Sequence, residues 1–390
     1  MNPDVIIIGG AAVGSAAAFF LASSPGFKGR VLVLEQDLGY EFCATARSAA
    51  SIRHQFSTPG NITMSQFGTE FLRHLPEHLS VDGEAPDVGF HEGGYLFLAT
   101  ASGEAVLREN HVTQRQMGAD VALLDPDELD RRFPWLHTGD LAGGSLGRSG
   151  EGWFDAWALM QAFRRKARSL GVRYRQARVT ALRRQGRHIS GVELADGSTL
   201  DCGTVINAAG TGAAALARSA GLDLPVQSRK RCVFYVTSPA SLPACPLVID
   251  PSGAYFRPEG AGFICGIAPP PDHDPECHDF EVQHGLFEEV LWPLLAARVP
   301  GFEALRVQRS WAGHYDMNTL DANVILGAHP ELDKLLFANG FSGHGLQQSP
   351  AIGRALAELV IEGRFTTLDL SAFGWQRVLA GQPLVERNVV

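Results

Sequence analysis

Short apolar runs and small residues alternate at the start of the chain in an order typical of a parallel sheet. Residues 5–8 read Val-Ile-Ile-Ile, and residues 31–34 read Val-Leu-Val-Leu. Because no polar residue interrupts either run, each predicts a strand that is buried on both faces. Residues 11–22, between the two runs, have small residues followed by a helical pattern. The pattern therefore predicts a strand, a tight turn, a helix and a second strand.

The turn before this helix carries a variant of the dinucleotide-binding fingerprint. Gly9, Ala11 and Gly14 form a G-x-A-x-x-G sequence, in which alanine replaces the usual middle glycine. Gly9 permits the sharp turn, and Gly14 lets the helix pack close to the strand. We expect the free N–H groups of the helix to face a pyrophosphate, whose binding the Ala11 methyl group shifts slightly. Glu35, at the end of the second strand, would accept hydrogen bonds from a ribose.

This pattern leaves two points open. A glycine-rich turn after a buried strand also occurs without any ligand, and the fingerprint does not distinguish NAD from FAD. The complete order of strand, helix, second strand and Glu35 favours a nucleotide site over a turn without a ligand.

The pattern also predicts elements in the rest of the chain. We expect a helix over 156–170, strands over 172–174 and 189–194, and a hairpin turn at Asp196-Gly197. A helix over 350–363 should end at Gly363, because glycine is favoured just after a helix C-terminus.

Composition and charge narrow the class of protein. The chain has 390 residues, of which 45% are hydrophobic and 19% are charged, as expected for a globular protein of more than one domain. Its net charge of −9 disfavours nucleic acid and anionic lipid as partners. An anionic substrate in a local arginine pocket stays possible.

The six cysteines form no CxxC pair, so we predict neither a metal site nor a redox dithiol. The N-terminus lacks the basic start and apolar stretch of a secretory signal, and no apolar run is long enough for a transmembrane helix. Together with the scattered cysteines, this predicts a cytoplasmic protein.

Several motifs, in order along the chain, carry a family resemblance. Residues 42–60 are rich in small residues, residues 152–155 read Gly-Trp-Phe-Asp, residues 205–211 read Val-Ile-Asn-Ala-Ala-Gly-Thr, and residues 341–347 read Phe-Ser-Gly-His-Gly-Leu-Gln. With the fingerprint, they resemble the D-amino-acid oxidase/sarcosine oxidase superfamily of FAD-dependent oxidoreductases, also called the DAO superfamily.

Two groups within that superfamily are particularly similar. Residues 52–57, 310–313 and 340–348 resemble the FAD-dependent oxidoreductase domain-containing proteins, one mitochondrial member of which assists assembly of respiratory complex I. Residues 47–50 and 311–313 are similar to bacterial D-amino-acid dehydrogenases.

The resemblance implies an α/β fold with two interleaved domains. A Rossmann-like, glutathione-reductase-type FAD-binding domain would take residues 1–80, 145–220 and 327–390. An antiparallel-sheet α+β substrate domain would take residues 81–144 and 221–326 and cover the flavin.

The resemblance also implies which residues contact FAD, held noncovalently. They lie in the fingerprint, after the second strand, at the adenine, in the returning turn and in the C-terminal loop: Gly9, Ala11, Ala12, Val13, Gly14, Glu35, Gln36, Arg47, Ser48, Ala49, Val179, Ala208, Gly210, Gly343, His344, Gly345, Leu346 and Gln347.

The substrate-side candidates are cationic or aromatic. Arg53 is the first candidate for a substrate carboxylate, which a guanidinium binds bidentately, and Arg231 is the second. The alternatives are a structural ion pair for Arg53 and a solvated basic turn for Arg231. Tyr255 shares one strand face with Arg257 and would face the substrate, with core packing as its alternative. The remaining candidates to line the pocket are His54, His314, Tyr315 and Gln347.

Three positions depart from the sarcosine oxidase pattern. Gln347 stands where a lysine binds carboxylate, and Ile264 stands where a lysine promotes reaction with oxygen. The positions of covalent flavin attachment correspond to Arg47 and to Gly313-His314. These departures predict noncovalent FAD and a dehydrogenase in preference to a fast oxidase.

Three functions remain open. The first is oxidation of the C–N bond of an amino acid or N-substituted amino acid, by hydride transfer to flavin N5, with a quinone, a flavoprotein or O2 as electron acceptor. The second is an FAD-binding assembly factor with vestigial catalysis. The third is the beta-type subunit of a hetero-oligomeric sarcosine oxidase, which would need partner subunits.

Overall fold

The computed structural model describes residues 2–387. The predicted C-terminal segment of the FAD-binding domain, 327–390, includes residues 388–390, which lie outside the described part of the chain. The strands, in chain order, are β1 Val5–Ile8, β2 Val31–Glu35, β3 Ser51–Ile52, β4 Tyr95–Ala99, β5 Val121–Leu124, β6 Gly143–Gly147, β7 Gly152–Trp153, β8 Arg173–Gln176, β9 Val179–Gln185, β10 His188–Leu194, β11 Thr199–Asp201, β12 Thr204–Asn207, β13 Val226–Thr237, β14 Leu247–Ile249, β15 Ala254–Glu259, β16 Gly262–Ile267, β17 Arg306–Asn318, β18 Ile325–Ala328 and β19 Leu335–Asn339.

The α-helices connect these strands and cover the faces of the sheets. In chain order they are α1 Ala12–Ser23, α2 Pro59–Arg73, α3 Leu75–Leu79, α4 Glu104–Gln116, α5 Pro126–Arg132, α6 Ala156–Ser169, α7 Ala213–Ser219, α8 His284–Leu286, α9 Trp292–Arg298, α10 Gly345–Ile361 and α11 Trp375–Leu379.

A six-stranded sheet forms the first layer, in the order β18-β19-β12-β1-β2-β8. Its strands are parallel except for the edge strand β18, which pairs antiparallel with β19. Val5 and Ile7 of β1 pack into a core shared with α1, α6 and α10, whereas Ile6 and Ile8 pack into a core shared with β9–β11 and α7. Burial on both faces, predicted from the apolar runs, is therefore confirmed.

An eight-stranded sheet forms the second layer, in the order β17-β13-β16-β15-β14-β4-β6-β5. It is antiparallel apart from the parallel pair β14 and β4. Phe234, Phe256 and Cys265 of this sheet pack against α9 and neighbouring segments on one face. The residues that alternate with them, such as Val233 and Tyr255, line a cavity on the opposite face.

The two sheets draw their strands from interleaved parts of the chain. The six-stranded sheet uses residues between 5 and 35, 173 and 207, and 325 and 339, and the eight-stranded sheet uses residues between 95 and 147 and between 226 and 318. We propose the predicted domain limits as a working division, although β6 crosses the limit drawn between residues 144 and 145.

The local predictions hold for most elements. The strand–helix–strand start, α6, β8 and β10 occur where expected, and a hairpin joins β10 to β11 with Gly197 at φ +80°. The start predicted for the last long helix was wrong, because α10 begins at Gly345 and contains Pro350. Pro350 has no N–H for the Leu346 carbonyl, which accepts a hydrogen bond from Ser349 Oγ over 2.8 Å. The helix ends at Ile361, and Gly363 follows it at φ +68°.

Candidate active site

A cavity lies between the glycine-rich loop after β1 and the uncovered face of the eight-stranded sheet. Most of the predicted FAD and substrate residues line it. They are Ala11, Ala12, Val13, Gly14, Arg47, Ser48, Ala49, Ala208, Gly210, Arg231, Tyr255, His314, Tyr315, Gly343, Gly345 and Leu346.

The fingerprint loop is shaped by contacts that only glycine allows. Gly9 has φ +95°, and a Cβ atom there would overlap the carbonyl oxygen of Ala208. A Cβ atom at Gly14 would overlap the carbonyl oxygen of Gly9. The N-terminus of α1 therefore packs tightly on the end of β1. The amide of Ala12, at the start of α1, donates to Thr45 Oγ1 over 3.4 Å, and both residues line the cavity.

Glu35 supports this loop from the end of β2. Its Oε2 accepts a hydrogen bond from Gly10 N over 2.8 Å, and its Oε1 accepts one from Asp37 N over 3.0 Å. Glu35 does not line the cavity, and neither do Gln36, which is exposed, and Val179, which is half-buried at the start of β9.

The segment 44–49 contributes five residues to the cavity lining: Ala44, Thr45, Arg47, Ser48 and Ala49. The Arg47 guanidinium lies 4.7 and 4.9 Å from the ring centres of Phe42 and Phe280, which pack on each other, and it donates from Nη1 to the Ala312 carbonyl over 2.9 Å. Arg257, which is buried, donates from Nε and Nη2 to the Ala49 carbonyl over 2.9 and 2.7 Å. These bonds clamp the segment to the eight-stranded sheet.

The loop before α10 forms the opposite wall of the cavity. Gly343 has φ +98°, and a Cβ atom there would lie 2.6 Å from the ring of Tyr315. Gly345 and Leu346 line the cavity, while the side chain of His344 turns toward Arg53.

Arg53 occupies an aromatic box outside the cavity lining. Its guanidinium lies 4.4, 5.7 and 5.5 Å from the ring centres of Phe56, Tyr95 and Phe97. Nη2 donates to His344 Nε2 over 3.2 Å, and the buried Nε has no partner. Among residues 2–387 no carboxylate lies within 4.0 Å of it, so the alternative of a structural ion pair was wrong.

Gln347 and His54 hold the backbone around Arg53. Gln347 Oε1 accepts from Arg53 N over 3.0 Å and from Ser65 Oγ over 3.2 Å. His54 is buried outside the cavity, where its Nε2 lies 2.8 Å from Thr69 Oγ1 and burial lowers its pKa to about 4.

Arg231 lies in β13, so the solvated turn considered for it was wrong. Its guanidinium binds Asp274 bidentately, over 2.8 Å at both Nη1 and Nη2, and lies 5.1 Å from the Tyr315 ring centre. Burial raises the pKa of Tyr255 and Tyr315, so both phenols stay protonated. Burial lowers the pKa of His314, whose Nε2 is buried without a partner.

Sequence reasoning missed several cavity residues because their roles depend on chain segments that are distant in sequence. Asp316 follows Tyr315 on β17 and accepts a hydrogen bond from Gly340 N over 2.8 Å. Burial raises its pKa to about 6. A carboxylate amid apolar strand residues was the available signal for it. The other missed lining residues are Ala44, Thr45, Val233, Gly313, Ala338 and Phe341.

The cavity suits an extended dinucleotide with a planar ring. Small side chains beside the α1 N-terminus line it together with Tyr255 and Tyr315. The family model described as "DAO: FAD dependent oxidoreductase" matches residues 4–359. The chain belongs to the DAO family. This DAO-family protein is an FAD-dependent oxidoreductase. We propose that Ala11–Gly14, Ser48, Ala49 and Gly345, which line the cavity, hold the FAD.

Known proteins are similar over almost the whole chain. FAD-dependent oxidoreductase domain-containing protein 1 of Xenopus laevis is 44% identical, over 99% of this DAO-family chain and 85% of its own. Sarcosine oxidase subunit beta of Rhizobium meliloti is 28% identical, over 92% of this chain and 85% of its own. The crystal structure of L-proline dehydrogenase from P. horikoshii superimposes with a TM-score of 0.86 at 26% identity, over 98% of this chain and 99% of its own.

Between residues 2 and 387, no cluster of three or more His, Cys, Asp or Glu residues could hold a metal ion. All six cysteines are free thiols. In the same part of the chain, no helix combines the length and apolar character needed to cross a membrane.

Proposed function

We propose that this protein oxidises the C–N bond of an amino acid or N-substituted amino acid. The observation that carries the proposal is Arg53, a guanidinium in an aromatic box with no carboxylate within 4.0 Å among the described residues. The partly buried charge of Arg53 acts on the buried Glu151 without contacting it, and a substrate carboxylate would form the direct pair that the described residues do not provide.

Aromatic rings and neutral polar groups hold Arg53 in place. His344 accepts from Nη2, and Tyr95 Oη lies 3.5 Å from Nη1. None of these groups carries a negative charge, so the charge of Arg53 stays available to an anion. Arg53 would bind the carboxylate, and Tyr255 and Tyr315 would close the space around the rest of the substrate.

When bound, FAD would supply the two-electron oxidant that accepts a hydride from the substrate carbon as the substrate forms a C=N bond. The amine must react in its neutral form, since its lone pair forms the new bond. An apolar, enclosed site lowers the pKa of an amine by desolvation, so the walls of the cavity would favour that form. The phenols of Tyr255 and Tyr315 stay neutral donors, because burial raises their pKa.

The relatives support an N-substituted amino acid. The relatives named above include an L-proline dehydrogenase and a sarcosine oxidase subunit. Proline and sarcosine are both secondary amines with one α-carboxylate. A substrate of this class would place one carboxylate at Arg53 and its nitrogen toward the tyrosines.

The cavity favours a dehydrogenase over a fast oxidase. Ile264 is buried on β16 at the position where the resemblance places an oxygen-activating lysine. No lysine lines the cavity within the described residues. A quinone or a flavoprotein is therefore a more suitable electron acceptor than O2.

The test is anaerobic mixing of the FAD-loaded protein with L- and D-amino acids and their N-methyl derivatives. Loss of the visible flavin absorbance reports reduction. Arg53→Met should slow reduction per unit substrate concentration by at least roughly 30-fold, because it removes one member of a buried charge pair. Arg309→Met is the control, since Arg309 packs on Tyr235 and does not line the cavity.

Two outcomes point elsewhere. If the protein binds FAD and no amino acid bleaches it, the proposal is wrong and an FAD-dependent binding or assembly role becomes the better explanation. The similarity to a sarcosine oxidase subunit supports a hetero-oligomer, which co-purification of partner chains would reveal.

A further inference from the structure

An acidic loop covers the basic strand residues beside the cavity. This acidic loop, residues 272–281, follows β16 and crosses β13 at residues 229–231. Asp274 binds Arg231 bidentately, and Asp279 binds Lys230 over 2.7 Å. The Cys277 amide donates to the Ser228 carbonyl over 2.9 Å, which fixes the loop along the strand.

The two ion pairs of the acidic loop differ in their surroundings. The side chains of Arg231 and Asp274 are 12% and 13% exposed, whereas Asp279 is 52% exposed. Arg231 lines the cavity, and Lys230 does not. The charge of Asp274 therefore contributes to the electrostatic potential in the cavity, whereas the charge of Asp279 is screened by water.

Arg53 and Arg231 act on the same tyrosine from different chain segments. Arg231 lies over the Tyr315 ring, and the positive charges of both arginines oppose the larger effect of burial on the pKa of Tyr315. A ligand beside Tyr315 would therefore lie close to Arg231 and within the electrostatic influence of Arg53. Arg53 has no carboxylate within 4.0 Å among residues 2–387, and Arg231 already holds one.

We propose that Asp274 is a specificity-determining residue that restricts this site to substrates with a single carboxylate. A second substrate carboxylate placed at Arg231 would meet the Asp274 carboxylate, which already occupies Nη1 and Nη2. Two carboxylates beside one guanidinium repel each other. A substrate that displaced Asp274 would leave the Asp274 carboxylate without its buried partner. This inference rests on the proposed function, because it assumes that Arg53 binds the first carboxylate.

Two thioether acids make a matched pair of probes. Methylthioacetate carries one carboxylate, and thiodiacetate carries two. Sulfur replaces the amine nitrogen in both, so neither can form a C=N bond and reduce the flavin. Their dissociation constants follow from the change in visible flavin absorbance when the FAD-loaded protein is titrated. We expect the wild-type protein to bind methylthioacetate at least about tenfold more tightly than thiodiacetate.

Variants separate charge from loop stability. Asp274→Asn keeps the side-chain size and removes the charge, and it should shift the ratio of the two dissociation constants toward thiodiacetate by about tenfold or more. Asp279→Asn breaks the neighbouring pair of the same loop and should leave the ratio unchanged. The double variant Arg231→Met, Asp274→Asn should not show this shift toward thiodiacetate, because it lacks the Arg231 guanidinium that Asp274→Asn makes available.

The outcomes distinguish the inference from the function beneath it. If neither acid perturbs the flavin, the proposed function fails and the inference fails with it. If methylthioacetate binds and the wild-type protein binds thiodiacetate equally well, the inference alone is overturned. The same holds if Asp274→Asn leaves the ratio unchanged or Asp279→Asn shifts it equally. The ratio of the two dissociation constants in the wild-type protein can still overturn the inference if a variant does not fold.

Discussion

The Nε2 atom of His344 accepts a hydrogen bond from Nη2 of Arg53 over 3.2 Å. A guanidinium only donates, so Nε2 carries no proton and the neutral imidazole has its proton on Nδ1. Burial, followed by the charge of Arg53, lowers the pKa of His344 to about 3. His344 therefore orients Arg53 and stays neutral near pH 7, which leaves the positive charge of the site undiminished.

Replacing Gly14 should disrupt the FAD site. Alanine normally stabilises a helix position relative to glycine, by about 1 kcal/mol. In Gly14→Ala the new methyl group overlaps the Gly9 carbonyl oxygen, a backbone atom that cannot move without displacing the fingerprint loop. We expect most of the FAD to be lost on desalting, together with a lower Tm. Gly212→Ala is the control, because nothing lies within 4 Å of a Cβ atom there; equal FAD retention in the two variants would contradict the prediction.

Glu151 should give the fold an unusual pH dependence. This fully buried carboxylate accepts from His54 N over 2.7 Å and from Gln55 Nε2 over 2.8 Å, and burial raises its pKa to about 7. The unfolded chain loses this proton at lower pH, so the free energy of unfolding falls as pH rises from about 4.5 to about 7. Glu151→Gln lacks this effect.

The measurement for Glu151 is chemical denaturation of both proteins across that pH range. The free energy of unfolding of Glu151→Gln minus that of the wild type should rise with pH by on the order of 2–3 kcal/mol. The amide introduced by Glu151→Gln can change the free energy of unfolding by a constant amount at every pH. This constant does not affect the test, because the readout is the change of the difference with pH. A difference that stays flat with pH would show that Glu151 titrates alike in the folded and unfolded chains.

The C-terminal segment should stabilise the helix that follows Arg53. Thr58, the N-cap of α2, makes no side-chain capping bond of its own. The Glu386 carboxylate instead accepts from the amides of Ser57 and Thr58, and from Asn61 Nδ2 over 2.8 Å. Glu386→Ala should lower the free energy of unfolding by about 1–2 kcal/mol, the range for a lost helix cap.

Glu109→Ala is the matched control for Glu386, because it removes a contact of the same C-terminal segment. Glu109 pairs with Arg387 through side chains that are 63% and 65% exposed. Its loss should cost less than about 0.5 kcal/mol. Equal destabilisation of the two variants would show that the Glu386 capping contact stabilises the fold no more than an exposed ion pair does.

FAD should leave the protein on acid precipitation. Arg47 lines the cavity, and its guanidinium packs on the adjoining rings of Phe42 and Phe280. None of the described cavity-lining residues is a cysteine. We therefore expect yellow supernatant and a colourless pellet. Flavin absorbance that stays with the precipitated protein would establish a covalent bond and overturn this prediction.

The local sequence pattern was sufficient to predict the first strand, turn, helix and strand of the fold. The apolar runs of β1 and β2 and the glycines between them predicted their strands and turn, because burial on both faces and backbone freedom at Gly9 are properties of short segments. The start of α10 was missed for a local reason as well. A proline usually begins or ends a helix, but Pro350 lies inside α10. There the Ser349 hydroxyl donates to the Leu346 carbonyl, which Pro350 cannot bond.

The sequence by itself determined the family, the parallel sheet around β1 and most of the residues that line the cavity. Only the tertiary structure decided which of the two candidate arginines pairs directly with a carboxylate of the described residues. Arg231 meets Asp274 across 43 positions of sequence, and Arg53 meets His344 across 291. Periodicity and turn chemistry act over a few residues, whereas the partner of a buried charge is set by how distant segments pack. The charge of the site is therefore a property of the folded chain.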